Sequence, residues 1–90
     1  MPTIHLLIKG KVQGVNYRAS AKEQADRLSL TGWVKNTAEG HVEITATGEA
    51  AALDQFVTWC RKGPSHAIVT HLISRSLPDT DFAEFVILHG

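Results

Sequence analysis

The sequence predicts an α+β domain, two helices packed on one face of an antiparallel sheet. Three observations carry the prediction. Polar and apolar residues alternate in short stretches near residues 4–9, 41–47 and 67–76, the period of a strand with one buried face, and the short stretch 33–37 is β-prone. Two intervening stretches, 18–30 and 49–62, repeat their apolar residues at helical spacing. A glycine or proline stands at each junction, where the chain must turn.

Each element follows in order. Ile4, Leu6 and Ile8 alternate with His5, Leu7 and Lys9, which makes a first strand. Residues 10–18, GKVQGVNYR, form a loop in which Gly10 and Gly14 supply unusual dihedrals or close approach. In 18–30, Ala21, Ala25 and Leu28 share one helical face, and Gly32 stops the helix. Residues 33–37 and 41–47 pair as a hairpin around Ala38-Glu39-Gly40. Val42, Ile44 and Ala46 point inward; His41, Glu43, Thr45 and Thr47 point outward. After Gly48, the helix 49–62 buries Leu53, Phe56, Val57 and Cys60. It ends on Arg61 and Lys62, cations that suit its C-terminal dipole, before Gly63-Pro64. Residues 67–76 form the next strand, Leu77-Pro78-Asp79 a turn, and 82–88 a last extended segment. The order β-α-β-β-α-β with a short extra strand is the split βαβ, or ferredoxin-like, sandwich. Residues 1–90 make a single domain. Fold alone names no activity.

Composition narrows the choice. Nine Lys and Arg balance nine Asp and Glu, whereas a chain that grips nucleic acid carries a basic excess. No apolar run approaches the roughly 20 residues of a membrane span, and the start lacks the layout of a secretory signal. The single cysteine, Cys60, permits no internal disulfide and fits a reducing cytoplasm. The charge is uneven: residues 1–22 hold Lys9, Lys11, Arg18 and Lys22 and no acid, and the remainder holds five bases and nine acids.

The positive stretch brackets loop 10–18. A loop that opens a helix offers free backbone N–H groups and the positive end of the dipole. Successive N–H groups in a glycine loop form a concave nest for phosphate, and the Arg18 guanidinium matches phosphate oxygens bidentately. The local pattern alone leaves a plain strand-to-helix turn with a solvated arginine equally open. The spacing is that of neither a Walker loop nor a dinucleotide fingerprint.

IKGKVQGVNYR, residues 8–18, resembles the first acylphosphatase signature, and GWVKNTAEGHVEITATG, residues 32–48, resembles the second. The resemblance covers most of residues 4–87. It implies a ferredoxin-like α/β sandwich that hydrolyses the carboxyl–phosphate bond of acyl phosphates. By resemblance, Arg18 and Asn36 are the catalytic residues, and Lys11, Val12, Gln13, Gly14 and Val15, together with Arg18, hold the phosphate. Asn36, short and neutral, orients a water without acting as a base. The expected enzyme is a cytoplasmic monomer without metal or cofactor. Its partners are a small acyl phosphate and, as product and inhibitor, inorganic phosphate; nucleic acid and membrane are not among them. The sequence departs from the pattern at Tyr17, where phenylalanine is usual, with little functional effect expected. It departs again at its end, Leu88-His89-Gly90, where an aromatic is common. The alternative is a non-catalytic module of the same fold that binds phosphate or nucleic acid, but anion binding alone has no need of Asn36.

The other reactive side chains read as structural. Cys60 lies on an apolar helix face, as free cysteines commonly do. His5, His41, His66, His71 and His89 show no metal-ligand spacing, with His5 and His41 facing solvent or the sheet edge. Trp33 is expected to pack near the site and Trp59 to flank the core. Lys9 and Lys11 either steer anions or are simply solvated.

Overall fold

The computed structural model describes residues 1–89; Gly90, noted above with the chain's last residues, lies outside them. Seven elements follow in order: β1 (Thr3–Lys11), α1 (Tyr17–Arg27), β2 (Thr31–Asn36), β3 (Val42–Thr47), α2 (Ala50–Lys62), β4 (Ile68–Leu77) and β5 (Phe85–Ile87). The sheet order is β4-β1-β3-β2-β5. Leu6, Ile8, Val34, Val42, Ile44 and Ala46 turn one sheet face toward the helices and are fully buried. They meet Tyr17, Ala21 and Ala25 of α1 and Leu53, Phe56 and Cys60 of α2. Phe56 joins the sheet to the helix layer through an edge contact with Phe85, centroids 6.0 Å apart. Trp59 packs against Tyr17 at 5.5 Å and, as expected, flanks the core.

The sheet is mixed, which corrects the wholly antiparallel expectation. β1 pairs antiparallel with β3 and β4, and β2 with β3. β5 lies parallel to β2, with Gly32 opposite Phe85 and Val34 opposite Ile87. The cause is the route of the chain. β4 ends where Leu77 faces Thr3, and the connection then passes under that end of the sheet. Thr80 N–H donates to Thr3 Oγ1 at 2.9 Å, and Thr47 Oγ1 donates to Thr80 O at 2.7 Å. β5 therefore starts from the same end as β2 and must run in the same sense.

Helix α1 is shorter than predicted. Leu30 N–H reaches Ala25 O at 2.8 Å and Ser29 N–H reaches Asp26 O at 3.1 Å, a Schellman closure. Ser29 takes the left-handed position at φ 58°, so the helix stops at Arg27, ahead of Gly32. Thr45 and Thr47 point away from the helices, as expected, yet are buried. Thr45 lies between His5 and Trp33 across the ladders, and Thr47 lies under Thr80. Trp33 also occupies this helix-free face, with Lys35 Nζ 5.3 Å from its ring centroid, and so is not a wall of the site. Among the described residues no helix is long and apolar enough to cross a membrane.

Candidate active site

The site lies at the end of the sheet where β1 passes into α1. Strand β1 runs two residues further than predicted, through Gly10 and Lys11. A register shift between Lys9 and Gly10 lets it do so, and glycine is required there. Its φ is 128°, and a Cβ would collide with the carbonyl oxygen of Ile68 on β4. Lys11 pairs with Ile68 on the sheet edge, and Val12 drops into the core.

The chain then turns sharply. Gly14 (φ 74°) and Asn16 (φ 64°) are both left-handed, and Val15 between them is not. Alternation of this kind turns successive N–H groups toward one side. Nothing stands within 4 Å of where a Gly14 Cβ would be, so the glycine is there for its dihedral. The Asn16 side chain makes no cap bond to the helix, and the first turn of α1 holds no acidic residue. The first intrahelical bond is Ser20 N–H to Asn16 O at 3.2 Å. The N–H groups of Tyr17, Arg18 and Ala19 therefore have no intrahelical acceptor, and the positive end of the dipole is not neutralised.

Two contacts fix this loop. Gln13 Nε2 donates to Thr37 O at 2.9 Å and to His41 O at 2.8 Å, locking the loop to the β2–β3 turn. The Tyr17 hydroxyl donates to Cys60 O at 2.7 Å, meeting one of the carbonyls left free at the end of α2. Burial holds the Tyr17 phenol well above its ordinary pKa, so it stays a neutral donor. Tyr17 thus does what a phenylalanine cannot: it ties the start of α1 to the end of α2. Burial also pushes the Cys60 thiol up to about 12, which leaves it inert.

Loop, helix and sheet enclose a depression of about 260 Å³ lined by Val12, Gly14, Asn16, Tyr17, Arg18, Ala19, Asn36, Ile87 and His89. Of the predicted residues it brings together Val12, Gly14, Arg18 and Asn36. Lys11, Gln13 and Val15 do not line it: Lys11 is exposed at the end of β1, and the Gln13 amide is engaged by the hairpin. Among the described residues Arg18 has no carboxylate partner, and its one side-chain hydrogen bond is Nη1 to His89 Nδ1 at 3.5 Å. Asn36 is the last residue of β2, on the same face as Val34. Its Oδ1 is buried and has no hydrogen-bond partner among the described residues.

Sequence reasoning missed Ala19, Ile87 and His89. The helix start implies Ala19, since the third N–H of any helix is free. Nothing local points to Ile87 or His89, which arrive through the parallel β2–β5 pairing.

Fold and site together define a ferredoxin-like domain with an anion-receptive loop–helix junction at one end of its sheet. The acylphosphatase family model matches residues 4–87. An acylphosphatase of Methylococcus capsulatus is 48% identical over 89 residues, covering 98% of this chain and 97% of the relative. The solved acylphosphatase of Coxiella burnetii superposes with a TM-score of 0.94 at 37% identity, covering 97% of this chain and 92% of that one. That of Bacillus subtilis superposes equally well, at 0.94 and 33% identity, covering 99% and 100%. The chain belongs to the acylphosphatase family and is an enzyme of that family.

Proposed function

We propose that the chain hydrolyses the carboxyl–phosphate bond of acyl phosphates, with Arg18 and loop backbone N–H groups holding the phosphate and Asn36 orienting the attacking water. The phosphate is cradled by the turn Lys11–Val15, chiefly by main-chain groups from Gly14 onward, and by the open N–H groups at the start of α1. One observation carries the catalytic reading: Asn36, whose Oδ1 is buried and unpartnered among the described residues, lines the same depression as Arg18 and the uncapped helix start. A buried carbonyl oxygen without a partner costs about 1–3 kcal/mol. A bound water that donates to it removes that cost and is held by the same contact.

The water oxygen attacks phosphorus, and the bond from phosphorus to the acyl oxygen breaks. The acyl group leaves as a carboxylate and the phosphoryl group becomes inorganic phosphate. The conjugate acid of the leaving group has a pKa of about 4, so no general acid is needed. The phosphoryl oxygens take up the proton the water loses. Phosphoryl transfer is mostly positioning and charge stabilisation. The guanidinium and the N–H groups supply the charge at the equatorial oxygens, so the chemistry asks for no metal or cofactor.

In this reading the protein works as a cytoplasmic monomer on small acyl phosphates, and inorganic phosphate competes as product. The lone buried thiol supports a reducing setting, and the neutral formal charge argues against nucleic acid as a partner. The test is turnover of benzoyl phosphate in EDTA. Activity is expected in the parent chain and loss of about 10³-fold with Arg18→Gln. Tight oligonucleotide binding without turnover would instead point to the binding module.

A further inference from the structure

Gln13 stands between the two halves of the proposed site. It precedes Gly14, where the phosphate-facing turn becomes left-handed, yet it does not line the depression. Its Nε2 donates instead to Thr37 O at 2.9 Å and to His41 O at 2.8 Å. A primary amide nitrogen has two protons, and both are spent here. The two carbonyls flank the neck of the β2–β3 turn. Asn36 and Val42 are the last pair of that ladder, and Thr37 and His41 are the next residues on either side.

We propose that Gln13 is a positioning residue for Asn36: its carboxamide sets where the end of β2 stands against the turn that holds phosphate. The proposal rests on the reading of Asn36 as the residue that orients water. Asn36 Oδ1 has no partner among the described residues, so its place is set by the backbone that carries it, and that backbone runs directly into Thr37. The β1–β3 ladder ends at Ile8 and Val42. Beyond that pair, among the described residues, the hydrogen bonds between loop and turn are the two from Gln13.

Each half keeps its shape without Gln13. Val12 and Tyr17, on either side of the phosphate-facing turn, are anchored in the core. The neck of the hairpin is closed by Thr37 N–H to His41 O at 2.9 Å, and Gly40 N–H donates to Thr37 O at 3.2 Å. Neither carbonyl would lose its last partner, so the fold is little affected. The relative placement of the halves is what changes. In-line attack needs water and phosphorus in one geometry, and a displacement of about 1 Å costs on the order of 10²-fold in rate. Inorganic phosphate meets only the loop, the start of α1 and Arg18, all on one side of the link. The loss therefore belongs in kcat rather than in phosphate affinity.

The test is a set of variants of the full chain, with kcat for benzoyl phosphate measured beside the Kd for inorganic phosphate by calorimetry. Gln13→Met keeps the length of the side chain and removes both donors. It is expected to lower kcat about tenfold and leave Kd within about twofold. Gln13→Lys offers one nitrogen that can serve both carbonyls, as Nε2 does, and is expected to hold kcat within about threefold of the parent. In an Asn36→Ala background, Gln13→Met is expected to lower kcat by no more than about twofold further. A parental kcat in Gln13→Met, or a Gln13→Lys chain no faster than Gln13→Met, would mean that the two bonds position nothing. A Kd that rises as much as kcat falls would put Gln13 in the cradle itself, and a full tenfold loss in the Asn36→Ala background would mean that it does not act through Asn36. Each of these outcomes overturns the proposal. An Asn36→Ala chain with the parent kcat would instead overturn the underlying reading of Asn36.

Discussion

The two ends of the sheet handle buried polar groups in opposite ways. At the end where β1 begins, Thr3, Thr47 and Thr80 form a closed set. Thr47 spends its hydroxyl proton on Thr80 O at 2.7 Å, so Thr3 must donate to Thr47 across their 2.7 Å contact. Thr3 in turn accepts from Thr80 N–H. At the other end, Asn36 Oδ1 is buried without a partner among the described residues, the start of α1 has no side-chain cap, and Gly14 and Asn16 are left-handed. One end holds the β4–β5 crossing in place. The other is left incomplete among the described residues, and in the proposed reading a phosphate and a water complete it. Groups arranged for a ligand are not arranged for stability, so activity and stability should separate along the sheet.

The largest expected effect that can break this comparison lies at the open end. Asn36→Ala is expected to lower kcat for benzoyl phosphate by about 10²-fold. It should leave phosphate affinity near the parent value and the melting temperature unchanged or higher, since a buried carbonyl oxygen with no partner among the described residues is removed. A marked drop in melting temperature would show that Asn36 supports the fold, and the two ends would then not differ in kind.

The closed end should respond in reverse. Thr47→Val keeps the side-chain shape but leaves the Thr3 hydroxyl and Thr80 O only their long 3.4 Å contact with each other, at a cost of about 1–3 kcal/mol. The melting temperature should fall by roughly 5–15 °C while kcat stays at the parent value. Calorimetry and the same assay check both halves of that expectation.

The smallest effect belongs to neither end and sharpens the contrast. On the helix-free face Glu43 accepts from His5 Nε2 at 2.7 Å, and Lys35 Nζ stands 3.6 Å away. The hydrogen bond from His5 lowers the Glu43 pKa most; the charges of His5 and Lys35 add to it, and partial burial opposes them. The folded chain thus binds this proton less tightly than the unfolded chain. Its contribution is full above the ordinary carboxylate range and is lost as the pH falls through the folded value. Glu43→Gln should remove that dependence on the acid side of the ordinary carboxylate range, an effect of about a few tenths of a kcal/mol in a partly exposed pair. Urea titrations of parent and variant across that range measure it.

Much of the fold is legible locally. Alternation at Ile4–Ile8 and at Val42–Ala46 fixes which sheet face is buried, because one buried face requires a period of two. The end of α1 was not legible, since Ser29 fills a left-handed position that glycine usually takes. The burial of Thr45 and Thr47 was not legible either, because their covers, Trp33 and Thr80, come from other parts of the chain. In the site, the glycine loop and Arg18 stand in one short run and suggest an anion by their chemistry. Asn36 rests on family resemblance alone, since a lone asparagine at a strand end is silent. Gln13 looked like part of the cradle, yet its amide locks the hairpin.

By itself, then, the sequence determined the order of elements, the core faces and the anion-receptive turn, because each depends on dihedral preference and periodicity over a few residues. The tertiary structure alone decided the parallel setting of β5, the burial of an Asn36 oxygen with no partner among the described residues, and the arrival of Asn36, Ile87 and His89 at the depression that Arg18 lines. Those depend on which end of the sheet the chain crosses after β4. The crossing is set by contacts among Thr3, Thr47 and Thr80, residues more than thirty positions apart, and no local pattern encodes contacts at that range.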